Sequence, residues 1–365
     1  MADEGDERQE ARPRSWAVRR WAAPLALAVS VAASIGAVHR LADGSVPTAP
    51  SGEQRMPRFT VAIGDFGTGG QGRRPKPWFQ VRAARAGGVR PLDSVPAPRS
   101  AGMAQSLVAG PGEMFVLSAF EQTSCTTRFY RFRLAADGRV RGLAPLTEET
   151  VPARVAGLAV SPDGARLAYA TAPCAQAAQP QATVTVLDIG SGRRRTWSTA
   201  APSLVGEIVW ARDSRTLGYT VGDVRPEAAP GPFHERRLGN VTVHALDTGG
   251  GGADLRSGRV LFRQPDDAAA VTTAVMNPDG RAGYGAMKRA HPASFVLFSF
   301  SAGEPMKITR IIGLKPNAVM ALGFITDDGP RYACLGGVDS FGRVNEGRFR
   351  DTSDGGQSCA VAYGY

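Results

Sequence analysis

The feature that most limits the folds open to this chain is a strand–turn–strand motif that recurs at intervals near fifty residues. "GLAVSPDGARLAYATA", residues 157–172, places alternating apolar residues on both sides of Ser161-Pro162-Asp163-Gly164. Proline presets φ, aspartate bonds its own backbone and glycine accepts positive φ, so these four residues specify a turn chemically. "EIVWARDSRTLGYT" repeats the pattern around Asp213, "TAVMNPDGRAGYGAM" around Asp279 with Gly280, and "ALGFITDDGPRYACL" around Asp328 with Gly329. A weaker copy, "SLVAGPGEMFVLSA", has Gly112 in the aspartate position, and the successive spacings are 51, 50, 66 and 49. The long spacing contains the Pro/Gly-rich insertion "DVRPEAAPGPFHERR", which reads as an extended loop.

Each copy is followed by a second strand pair, such as "FYRFRLAADGRVRGL" or "TVTVLDIGSGRRRTW". Four strands per fifty residues is the signature of a propeller blade, whereas a β-sandwich predicts no such period. With 44 glycines and 26 prolines the chain is too often interrupted for long helices. Strands "RFTVAI", "WFQVRAA" and "VRPLDSV" remain at the N-terminal side of the repeats, and "SCAVAYGY" at the C-terminal side. Joining these leftovers closes the ring without an open sheet edge. The expected fold is therefore all-β, a six-bladed β-propeller of four-stranded blades spanning 58–365.

"LAVSPDGARLAYA" resembles the WD-like repeat of TolB-type β-propellers. That resemblance implies the fold, a binding role and an extracytoplasmic place in a bacterium, here one of high-GC, actinobacterial-like composition. It carries across no catalytic residue, because Asp163, Gly164, Asp213, Asp279, Gly280, Asp328 and Gly329 are structural turn positions.

The N-terminus reads as an address. Arg12, Arg14, Arg19 and Arg20 precede "WAAPLALAVSVAASIGAV", residues 21–38, a run without charge. A membrane helix needs about 17 or more apolar residues, and arginines before it orient the N-terminus inward. The expected organisation is a disordered cytoplasmic tail (1–20), a transmembrane helix (21–38), a flexible linker (39–57) and an extracytoplasmic domain (58–365). A cleaved signal peptide with its site in "SVAAS" is the alternative.

Outside the cytoplasm, Cys125, Cys174, Cys334 and Cys359 are expected to form two disulfides, with three possible connectivities. Cys125 and Cys174 occupy the same place in successive repeats, 13 residues after Gly112 and 11 after Asp163, which favours pairing them. Cys334 and Cys359 fall in neighbouring blades and form the second candidate pair.

Motifs that carry chemistry are scarce. "GTGGQG", 67–72, lacks a following helix, so a dinucleotide fingerprint is disfavoured. His39, His234, His244 and His291 never reach a metal-ligand spacing, and no CxxC pair occurs, so neither metal nor cofactor is expected. There is no GxSxG elbow. Among the inner strands "QSLVA", "AGLAV", "EIVWA", "TTAVM" and "MALGF", only Glu207 is acidic. The net charge of +10 is almost wholly arginine, clustered at Arg73-Arg74, Arg193 to Arg195, Arg236-Arg237 and Arg348/Arg350. Nucleic acid is a poor partner outside a membrane; an anionic envelope polymer or a protein suits such charge better, and a solvated basic surface is the competing reading. The expectation is a membrane-anchored binding, scaffold or sensory module that is non-catalytic. The alternative is a propeller hydrolase or lyase acting on a cell-envelope or small-molecule substrate.

Overall fold

Short apolar runs bounded by Gly, Pro and Asp become strands, and almost nothing else forms. The computed structural model describes residues 59–63, 77–83, 91–174, 181–224, 238–265, 270–289 and 294–313, with the backbone of strands at 319–326, 329–336, 340–345, 348–351 and 361–364. The helix among them is a single 3-10 turn, Leu255–Ser257, and no described helix is long and apolar enough to cross a membrane. The expected tail, membrane helix and linker lie outside the described residues, as do the 67–72 loop, Asp328 and Cys359.

Strands β1 (Phe59–Ile63), β2 (Phe79–Ala83) and β3 (Asp93–Val95) form one antiparallel meander. A second comprises β4 (Met103–Ala109), β5 (Met114–Glu121), β6 (Thr126–Leu134) and β7 (Val140–Pro145). Next come β8 (Arg154–Val160), β9 (Arg166–Ala172), β10 (Gln181–Asp188) and the 17-residue β11 (Arg194–Trp210). The first half of β11 pairs with β10, and its second half with β12 (Thr216–Val224), which continues to β13 (Leu238–Asp247) and β14 (Arg259–Arg263). The last strand of one repeat thus runs straight into the first strand of the next. Two further meanders follow: β15 (Ala270–Met276) to β18 (Lys307–Gly313) through β16 (Ala282–Arg289) and β17 (Ser294–Ser301), and β19 (Val319–Thr326), β20 (Gly329–Gly336), β21 (Ser340–Asn345) and β22 (Arg348–Asp351). The final strand, β23 (Val361–Gly364), returns to pair antiparallel with β1, Val61 opposite Ala362.

Successive first strands pack beside one another: β23 against β4, β4 against β8, β8 against β11, β11 against β15 and β15 against β19. This is a propeller-type arrangement of blades, and it distributes the core. Among the described residues, each interface between neighbouring meanders has its own apolar cluster rather than sharing one centre. Phe79 of one meander stacks at 4.5 Å on Phe132 of the next, and Phe115 lies 5.2 Å from Phe132. The second strand of a repeat is covered on both faces, which is why "MFVLSAF" and "LGYTVG" are apolar without alternation. First strands are covered on one face only, and β4 stays half-exposed along most of its length.

The repeat turns fall at one edge of the sheets. Gly164 (φ +72°), Ser214 (φ +53°), Gly280 (φ +73°) and Glu113 (φ +58°) take the left-handed conformation at the same step between first and second strand. In the sharpest copy the Asp163 carboxylate accepts from Ser161 Oγ (2.5 Å) and the Ala165 amide (3.0 Å). Neighbouring turns also bond to each other: the Asp163 amide donates to Ser214 Oγ (3.1 Å), and the Arg212 amide to the Pro278 carbonyl (2.9 Å). Gly329 opens β20 opposite Thr326. At the opposite edge a disulfide joins Cys125 to Cys174 with Cα atoms 5.9 Å apart, tying two successive repeats. The Cys334 backbone lies in β20.

Candidate functional site

Two places gather polar groups beyond what the strands need for pairing. The first is a belt on the inner strands. In β4, β8, β11 and β15 the pairing with the following strand slips by one residue, a β-bulge each time. The extra residue is Gln105, Ala156, Gly206 with Glu207, and Thr272, each bulge beginning seven residues before its turn position. A bulge unpairs a residue and re-aims its side chain, which is why bulges recur near active sites.

Ala156, Glu207 and Thr272 are exposed on this belt. Glu207 is exposed at its bulge. Desolvation raises its pKa above the ordinary glutamate value. Gln105 Oε1 is buried without a partner among the described residues. Adjacent bulges touch: a Cβ on Gly157 would meet the Gly206 carbonyl at 2.8 Å. Glycine at 157 therefore lets β8 approach the backbone that presents Glu207.

The second place is a cleft of about 710 Å³ at the turn edge, lined by Arg166, Arg193, Arg194, Arg195, Arg215 and Trp197 together with Val186, Asp188, Asp213, Thr248 and Gly249. Three turns and the end of β13 bring these residues together. The Arg195 guanidinium lies 4.8 Å above the Trp197 ring and donates to the carbonyls of Thr248 and Gly250. Arg166 Nη1 donates to the Ser214 carbonyl (2.9 Å). Arg215 makes a bidentate pair with Asp247, 2.7 Å for each contact, which holds the Asp247 carboxyl down at about 2. The Asp188 carboxyl is lowered by the hydroxyl and amide of Ser191. Desolvation pushes Asp213 up, but the amide and hydroxyl of Thr216 outweigh it and the net shift is downward.

The structure places the sequence-marked Asp163, Gly164, Asp213, Asp279 and Gly280 at equivalent turns, and of these turn residues Asp213 lines the cleft. Arg193 to Arg195 do converge, with two arginines that the sequence reading passed over. A usable signal existed, since an arginine stands two or three residues after the turn aspartate in four copies (Arg166, Arg215, Arg281, Arg331). Arg73-Arg74 and Arg236-Arg237 lie outside the described residues, and Arg348 and Arg350 are in β22. Among the described residues no three His, Cys, Asp or Glu side chains are grouped to hold a metal ion.

No family model and no curated protein matches the chain. Solved structures do. It is similar to the acylaminoacyl peptidase of Pyrococcus horikoshii (13% identity, 69% of this chain and 39% of that one, TM-score 0.43). It is similar to dipeptidyl peptidase 4 of Porphyromonas gingivalis (13%, 76% and 44%, TM-score 0.39). The β-propeller domain of the Trilobed protease of Pyrococcus furiosus also matches (11%, 71% and 85%, TM-score 0.37). The chain spans less than half the length of the two full peptidases. Solved chains of this kind are mostly peptidases, and this overturns the expectation of a non-catalytic binding, scaffold or sensory module.

Proposed function

We propose that this chain is a six-bladed, TolB-type propeller that acts as a hydrolase or lyase on a cell-envelope or small-molecule substrate. The observation that carries the reading is the placement of Glu207, an exposed carboxyl presented by a bulge on an inner strand; desolvation raises its pKa, the direction that suits a proton donor. Five repeat units plus the sheet in which β23 pairs with β1 support the count of six blades. The charge pattern around residues 21–38 supports an anchored, extracytoplasmic location, with an anionic envelope polymer or a protein as its neighbour.

In hydrolysis the Glu207 carboxyl gives its proton to the leaving group as the scissile bond breaks. Water adds to the other fragment, and the proton it releases restores the acid. General acid catalysis of this kind contributes about 10²–10⁴-fold. The test is turnover of a panel of chromogenic esters, glycosides and peptide anilides, with envelope fragments alongside. Turnover of one class, lost about 100-fold or more in Glu207→Gln, supports the reading. A wild-type protein inert toward every class, or a variant as active as wild type, removes it.

A further inference from the structure

We propose that the arginine cleft at the turn edge binds a phosphoryl group, carried by a small molecule or by an envelope phosphodiester polymer. The inference goes beyond the hydrolase reading and uses none of its residues. Arg193, Arg195 and Trp197 alternate along one strand direction, so their side chains share a face. Arg195 stacks on Trp197 and is anchored by two backbone carbonyls, and Arg166 is anchored by a third. Carbonyls fix a guanidinium in place without cancelling its charge.

The carboxylates nearby are already engaged. Asp247 neutralises Arg215, Glu149 pairs with Arg194 at 2.9 Å, and Asp188 and Asp213 accept from the backbone and hydroxyls of their own turns. Asp163, which attracts Arg166, is likewise held by Ser161 and Ala165. The exposed Arg193 side chain has no hydrogen-bond acceptor among the described residues, although the Asp188 carboxylate attracts it.

A second observation points to a ligand. Trp197 is 1% exposed and lines the cleft, yet its indole N–H has no acceptor among the described residues. A buried donor without an acceptor is costly, and a ligand oxygen would supply one. Guanidinium groups arriving from β9 and from the start of β11 can address more oxygens than a carboxylate offers, which favours a phosphoryl group. The cleft volume is that of a small-molecule site.

The experiment is calorimetric titration at low salt of the full chain with glycerol 3-phosphate, with a soluble poly(glycerol phosphate) and with acetate. Saturable binding is expected for a phosphoryl probe, weakened about tenfold in Arg193→Gln and in Arg166→Gln. Tighter binding of the monoester assigns a small-molecule source, and tighter binding of the polymer an envelope source. Acetate binding as tightly as phosphate, no saturable binding of either phosphoryl probe, or affinities unchanged in both variants would overturn the proposal. The readout is binding and not turnover, so its failure is distinguishable from failure of Glu207 as a proton donor.

Discussion

The inner-strand bulges and the turn edge belong to the same repeat, yet they are built on opposite principles. At the turn edge the geometry recurs because the residues recur: aspartate caps its own turn and a left-handed residue follows it. At the bulges the geometry recurs although the residues do not, since Gln105, Ala156, Gly206-Glu207 and Thr272 share nothing chemically. A position fixed by backbone packing leaves its side chain free to vary. The difference teaches where specialised chemistry can be installed in a repeat without damaging it, and Glu207 occupies such a position.

The edge away from the turns sets the upper end of the scale. Replacing Cys125 and Cys174 together by serine reopens a loop of 49 residues and should cost about 4 kcal/mol in chemical denaturation. An unchanged midpoint would mean that the two repeats are held by packing alone. At the bulges, Gly157→Ala forces a methyl against the Gly206 carbonyl and should cost about 2 kcal/mol. It should also disturb Glu207, so a variant that is destabilised but keeps full Glu207 function would uncouple the two bulges.

Between bulge and rim lies His244, buried in β13, stacked on Tyr219 at 5.7 Å and bonded to Gly258 and Thr242. Burial lowers its pKa below the ordinary 6.5. The unfolded chain therefore takes up a proton first as pH falls, and stability should decline below pH about 6.5. His244→Gln should flatten that decline in thermal melts from pH about 7 to 5; an identical slope would place the titration elsewhere.

The smallest effect belongs to the turn edge. The Asp247 carboxyl, held at about 2 against an ordinary 3.8, stabilises fully above the ordinary value and loses that contribution as pH falls toward 2. Asp247→Asn should change stability only slightly at neutral pH and remove this acid-range slope, with the effect shrinking in salt because the pair is exposed.

The contrast also explains how much was legible in the sequence. Ser161-Pro162-Asp163-Gly164 announces its turn because each residue has a conformational reason to be there, and the fifty-residue period follows from counting such turns. The strand pairs and the return of β23 to β1 were readable from the same count. The bulges were not, because a slipped register leaves no residue signature when the partner strand fixes it. The cleft was half legible: Arg193 to Arg195 stood out as a run, but Arg166 and Arg215 join them only through the juxtaposition of turns from different repeats. Glu207 stands out in the sequence as the lone acid of the inner strands, but one carboxyl without a visible partner gives no acid–base pair to recognise. What changes its meaning is the bulge that presents it, which a sequence does not display.

Proton donation by Glu207 requires a carboxyl that stays protonated, and difference infrared spectroscopy of wild-type protein against Glu207→Gln reads that state directly. The protonated C=O band assigned to Glu207 should persist to a pH clearly above the ordinary glutamate value of 4.5. A Glu207 carboxylate that is fully ionised at or below that value would contradict its role as a proton donor and the hydrolase reading built on it.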